Sequence, residues 1–183
     1  MKNILRYLLL TFMVIAFTVP VFGKAEAAKI VILPLANNVA DDELSGQVFF
    51  NECMDYFKFP EFDMVDEVEL DKVLKEENYA AVGKNGPDAA MLKRIMAKTG
   101  ADMALMMSLD ELSLEPMMGM IEDYYKFKIK ARIMYVNGIT GKVTKDRIND
   151  EAMVEYPVIA RTDYEHNEFR DHVIRSLKKV AKF

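Results

Sequence analysis

Between Tyr125 and Tyr135 the chain alternates: Tyr125, Phe127, Ile129, Ala131, Ile133 and Tyr135 take one set of positions, and Lys126, Lys128, Lys130 and Arg132 take the other. Side chains of an extended backbone point to opposite faces at every second residue. The stretch from Tyr125 to Val136 is therefore a strand with one face on a core and the other in water. Such a strand needs antiparallel neighbours, and the flanking sequence offers them. Asn137-Gly138 and Thr140-Gly141 make a turn into a further strand, Lys142 to about Ile148. Upstream, Ala101 to Leu114 is a long apolar strand candidate interrupted by Asp110 and Glu111, with Glu115 to Asp123 as a loop.

The first half of the chain mixes strand and helix signals. Lys29 to Leu33 is a continuous apolar run closed by Pro34, which suits a strand buried on both faces. A helix is expected over Asp42–Phe57, with Asp41 or Asp42 as its cap. Gly46, Phe49, Phe50, Cys53, Tyr56 and Phe57 share one arc of its wheel. Phe62 to Val65 can form a second short strand. Asp66 and Glu69 have capping-box spacing ahead of Leu70, Val73 and Leu74, in a helix that fades near Gly83. After the loop Gly83 to Gly86, Pro87 opens a third helix and Gly100 closes it. Thr162 and Glu165 repeat the capping spacing before a last helix striped by Phe169, Val173, Leu177, Val180 and Phe183. Neither an internal repeat nor a composition break divides the chain. The expected fold is α/β (α+β): a single mixed sheet of about five strands flanked by about four helices, forming one domain over residues 28–183.

Residues 1–27 have the grammar of a secretory signal. Lys2 and Arg6 precede an apolar run of 13 residues, Tyr7 to Val19; Pro20 breaks it, and Ala25-Glu26-Ala27 offers small residues to a signal peptidase. A membrane-crossing helix needs about 20 apolar residues. Cleavage is expected between Ala27 and Ala28, giving an extracytoplasmic protein, periplasmic or secreted. No cysteine stands at that site, so neither a lipid anchor there nor stable membrane insertion is expected.

Cleavage would leave 21 basic against 28 acidic residues, a net charge of −7. A chain of that sign repels phosphate backbones, which argues against nucleic acid as a partner. The lone Cys53 can form no internal disulfide, and its place in the apolar arc of its helix predicts a buried thiol.

Several segments, taken in order, resemble an extracytoplasmic family that includes the CsgG-type curli-secretion proteins. Amino-terminal domains of TolB and the lipoprotein activators of penicillin-binding proteins share a related fold. The resemblance rests on KIVILPLAN (Lys29 to Asn37), FDMVDEVELDKVLKEENYAAVG (Phe62 to Gly83), AKTGADMALMMSLDEL (Ala97 to Leu112) and ARIMYVNGITGKVT (Ala131 to Thr144). Glu67 departs from the arginine usual there, and the lipid-bearing cysteine is absent. No pair of amphipathic hairpins is left over for a membrane barrel. The resemblance thus implies the fold and an envelope-assembly role through protein–protein contact, without the secretion pore.

Catalytic signatures do not support an enzyme. The chain has no Gly-x-Ser-x-Gly, His-Glu-x-x-His, Cys-x-x-Cys or Gly-x-Gly-x-x-Gly. His166 and His172 lie six residues apart on one helix, roughly 240° around it, and cannot share a metal; both read as boundary residues of its apolar stripe. No cofactor is expected. Two features remain. Methionine is abundant, at 14 residues, and Met117, Met118 and Met120 beside Glu115 could offer thioethers to Cu(I), or simply an adaptable contact surface. Met103, Met106 and Met107 lie just upstream. The row Lys126, Lys128, Lys130 and Arg132 could dock an acidic partner or an anionic envelope polymer, or could pair across strands with acidic neighbours. The expected partners are unidentified envelope proteins, and self-association stays open. A Met-rich protein binding a metal or small ligand is the alternative reading.

Overall fold

The computed structural model describes residues 27–79, 88–117, 124–155 and 160–182. In chain order these form β1 (Ala28–Ile32), β2 (Ala36–Asn37), α1 (Leu44–Tyr56), β3 (Phe62–Met64) and α2 (Glu67–Glu76). Then follow α3 (Ala89–Thr99), β4 (Met103–Met117), β5 (Tyr124–Asn137), β6 (Val143–Glu155) and α4 (Arg161–Val180). All six strands belong to one mixed, open sheet, ordered β3-β1-β4-β5-β6, with β2 pairing beside β4. The strands β3, β1, β2 and β4 run parallel where they pair. The long strands β4, β5 and β6 are antiparallel. The architecture is thus the expected mixed sheet, with the short β2 as an added strand.

Two cores lie on opposite faces. On one, α1 and α4 bring Phe49, Cys53, Phe57, Phe169, Val173 and Leu177 against Ile30, Leu105, Leu109, Phe127 and Ile133. On the other, α2 and α3 bring Leu70, Val73, Leu74, Leu92 and Ile95 against Val31, Leu33, Ala104, Met106 and Val136. This double cover explains why β1 reads as an uninterrupted apolar run. The second cover is partial: α2 and α3 reach no farther along β4 and β5 than Met106 and Met134. Beyond that line the sheet's second face carries polar and charged side chains.

Chain ends of the helices follow local chemistry. The Asp66 carboxylate accepts hydrogen bonds from the Val68 and Glu69 amides, while the Glu69 side chain turns to Lys29 at 3.6 Å instead of closing the box. Gly100 caps α3 in the left-handed region at φ 63°, where a side chain would be strained. Helix α1 begins at Leu44, two residues later than expected, and its N-cap position is Glu43, which makes no side-chain cap bond; Asp42, one residue before it, accepts from the Ser45 amide at 3.1 Å.

Several sequence expectations need correction. The helix α2 stops at Glu76, with Asn78 at φ 52°, well before Gly83. Helix α3 begins at Ala89, capped by Asp88, and Pro87 and the Gly83–Gly86 loop lie outside the described residues. Thr162 does not cap α4: the N-cap position is Ala160, and Glu165 pairs with Arg161 at 3.3 Å. Phe50 does not join the buried arc of α1 and is 50% exposed. Strand β4 continues through Glu115 to Met117, and β6 continues past Ile148 to Glu155. His172 is buried, its ring stacked on Phe127 with centroids 6.4 Å apart.

Candidate functional site

The basic row stands on the part of the second sheet face that, among the described residues, no helix covers. Directly paired residues share a face, so the pairing register gives the surface row by row. Glu115, Lys126 and Met153 lie side by side, then Ser113, Lys128 and Glu151, then Glu111, Lys130 and Asn149, then Ser108, Arg132 and Arg147. Met134 and Lys145 follow at the margin of α3.

Strand β4 reaches this arrangement through a bulge. Its register with β5 slips between Leu109 and Glu111, leaving Asp110 as the extra residue. Before the slip the odd-numbered Met103, Leu105, Met107 and Leu109 face α1 and α4; after it the even-numbered Leu112 and Leu114 do. A bulge sets two consecutive side chains toward one face. Here it turns both Asp110 and Glu111 to the open side, where they meet Arg132 and Lys130. The apparent interruption of this strand is therefore the device that supplies two carboxylates to the row.

Each of the four predicted cations is ion-paired. Lys126 pairs with Glu151, Lys128 with Glu115 at 3.1 Å, Lys130 with Glu111, and Arg132 with Asp110 at 3.2 Å. The hydrogen bond that Lys128 donates to Glu115 raises Lys128 above its ordinary pKa, and the one that Lys126 donates to Glu151 lowers Glu151 below its own. Pairs of this kind at a solvated surface add little to stability, because water screens the attraction and two long side chains lose freedom. They order the side chains more than they stabilise the fold. A depression of ≈ 650 Å³ lies at one end, where Asn38, Asp110, Lys130, Arg132, Arg147 and Asn149 surround it. Asn38 extends the network by donating to Asp110 at 3.0 Å. Sequence spacing did not single out Arg147 or Lys145, because β6 lacks an apolar alternation to mark its faces.

The methionines divide. Met103 and Met107 face one core and Met106 the other, so these three cannot converge on one ion. Met103 instead accepts a hydrogen bond from the Tyr135 hydroxyl, S···O 2.9 Å. Met117 is exposed at the end of β4, while Met118 and Met120 lie outside the described residues. Among the described residues no three His, Cys, Asp or Glu side chains are grouped to hold a metal ion. Cys53 is fully buried, and burial pushes its thiol well above the ordinary pKa. That environment suppresses the nucleophilic thiolate.

His166 lies beside α1, with Nδ1 2.7 Å from the Thr162 carbonyl oxygen and Nε2 3.0 Å from Asp42. Burial alone would raise Asp42, but hydrogen bonds from His166, Ser45 and Asn37 outweigh it and hold the carboxyl below its usual value. His172 behaves differently. Burial, then repulsion by Arg175, lowers it from the ordinary 6.5, against the attraction of Asp150, Glu168 and Asp171. A histidine with a lowered folded pKa binds its proton more weakly folded than unfolded. Its contribution to stability is complete above about pH 6.5 and is lost as pH falls through the folded value. Thermal melts between pH 7.5 and 5 should therefore fall more steeply for the parent than for His172→Gln. Equal slopes would refute this assignment.

No protein family matches the chain, and no curated protein matches it in sequence. In structure it is similar to the hypothetical protein CT253 from Chlamydia trachomatis, with a TM-score of 0.51 and 7% identity over 84% of this chain and 97% of that one. It is also similar to lipoprotein GNA1162 from Neisseria meningitidis, with a TM-score of 0.48 and 12% identity over 83% and 99%. For the LpoB C-terminal domain from Escherichia coli the values are 0.40 and 10%, over 78% and 93%. At these identities the likeness is one of fold, among structures that include bacterial lipoproteins.

Proposed function

We propose that the chain is exported and acts outside the cytoplasm as a non-catalytic envelope protein, by protein–protein contact through the uncovered half of its sheet. The observation that carries this reading is the incomplete second helix layer. It leaves a three-stranded surface of ordered, ion-paired side chains where a closed fold would place another helix. The cations along β5 recur about every 7 Å, and a partner presenting carboxylates at a similar pitch can replace Glu111 and Glu115 at small cost. Export is supported by the leader grammar of residues 1–27, and an envelope role by the resemblance to CsgG-type proteins. Among the described residues no helix is long and apolar enough to cross a membrane.

The test is site-specific photo-crosslinking in the native envelope, with the probe at Ser113 on the open face and a control probe at Lys93 on α3. A protein adduct is expected from position 113 alone, and Lys128→Glu with Lys130→Glu should reduce it at least tenfold while the circular dichroism stays unchanged. No adduct from position 113, or one that survives both reversals, overturns the docking face.

A further inference from the structure

The sheet has two edges of different character. At one end β3 is three residues long. At the other β6 runs 13 residues and, among the described residues, pairs only with β5. Helix α4 touches β6 from one face and not along its edge: Ser176 and Lys179 hold Asp146, and His172 lies 3.4 Å from Asp150. Every second residue of an edge strand turns its N–H and C=O outward. Natural edges are shielded from further pairing by proline, bulges, shortness or charge. Strand β6 has no proline, and its register with β5 is unbroken from Glu155 to Val143. Among the described residues, charge is the one device left.

That charge is ordered along the strand. Lys142, Lys145 and Arg147 lie before Asn149, and Asp150, Glu151 and Glu155 lie after it. The exception, Asp146, is the carboxylate that Lys179 and Ser176 already hold. A copy laid alongside in parallel would set like charges together. An antiparallel copy related by a two-fold axis must keep both faces of the sheet, so the axis passes through a residue. An axis at Arg147 opposes two arginines. At Ile148 it opposes Asp146 and Asp150, at Asp150 two aspartates, and at Glu151 two glutamates. An axis at Asn149 opposes no like charges. It sets Arg147 against Glu151 of the partner subunit, twice, and Lys145 against the exposed Met153 of the partner subunit. It also pairs β6 over its whole length, because Asn149 is the middle residue of Val143–Glu155.

We propose that β6 is a self-association edge, where a second copy of this chain adds its own β6 antiparallel about Asn149 and joins the two sheets into one. Arg147 suits this role. It is exposed, and no carboxylate among the described residues pairs with it, whereas Arg132 directly across in β5 is held by Asp110. Glu151 is more than half exposed even while paired with Lys126, leaving an oxygen for a second cation. The open face remains uncovered in such a dimer, so this inference stands apart from the docking role.

Sedimentation equilibrium of the purified protein tests it. The parent should be dimeric, and Arg147→Glu or Glu151→Arg should each weaken the dimer about tenfold or more by opposing like charges twice. The double variant should restore it, since the exchanged charges again meet their opposites. Disulfide trapping gives a second readout that survives any loss of affinity. Opposed Cα atoms in an antiparallel pair lie about 4.5–5.5 Å apart, within disulfide range. Asn149→Cys should therefore give a covalent dimer on mild oxidation, and Lys145→Cys, roughly 27 Å from its own copy, should not. A monomeric parent, a double variant no tighter than the single ones, or equal trapping at both positions would overturn the proposal.

Discussion

Replacing Phe57 with alanine is expected to remove about 3–5 kcal/mol of folding stability and to lower the melting temperature by about 6–20 °C. Phe57 is 1% exposed, at the point where α1 ends and the chain turns toward β3. Its ring meets Tyr56 and Phe62 edge-on at 5.1 and 5.2 Å and stacks over Tyr135 at 6.4 Å. Truncation opens a cavity between the end of α1, an edge strand and the last residues of β5, whose backbones are fixed by sheet pairing and cannot close onto it. Phe50→Ala is the matched comparison. The two residues lie 7 apart on the same helix region, yet Phe50 is half exposed and its loss should cost no more than about 0.5 kcal/mol. Urea denaturation of both variants decides the matter. Similar midpoints would show that Phe57 is not the anchor its burial indicates.

The contrast between these phenylalanines marks where sequence pattern stops being informative. An arc on a wheel shows which residues could share a face, but the width of the buried face is set by what packs on it. Helix α1 meets the sheet and α4 along Phe49, Cys53 and Phe57, and Phe50 falls just beyond that line. Strand length was hidden for a related reason. An apolar pattern records burial, and the outer parts of β4 and β6 have little: of all β6, only Ile148 is buried. Residues Glu115–Met117 and Asn149–Glu155 are extended because β5 pairs with them, a long-range cause that their own composition does not carry. The basic row was legible from its period of two. Its acidic partners were harder to see, since Asp110 and Glu111 are adjacent and alternation forbids adjacent residues one face. The change from odd to even apolar positions between Leu109 and Leu112 was the available clue to the bulge.

The turn between β5 and β6 was also legible in position, though for a different physical reason. Asn137-Gly138 suggests a glycine chosen for left-handed backbone, but the left-handed glycine of this turn is Gly141, at φ 71°. At Gly138 the constraint is space. A Cβ there would lie 2.8 Å from the Asp102 carbonyl oxygen and 2.7 Å from the Met96 methyl group. The methionine tip can swing aside; the carbonyl cannot move freely, because it accepts the Gly138 amide at 2.7 Å. Asp102 also exchanges hydrogen bonds with Lys29, donating its amide to the Lys29 carbonyl at 2.7 Å and accepting the Lys29 amide on its carboxylate at 2.9 Å. One residue thus ties β1, the start of β4 and the hairpin together. Gly138→Ala should push the hairpin off Asp102, lose the amide bond and cost about 1–3 kcal/mol. Amide hydrogen exchange should show Gly138 and Asp102 losing protection first, with the centre of β5 unaffected. Gly141→Ala has open space around its Cβ and pays only for its backbone angle, about 1 kcal/mol. A larger loss at Gly141 than at Gly138 would mean that backbone conformation, and not the close approach to Asp102, fixes this corner of the sheet.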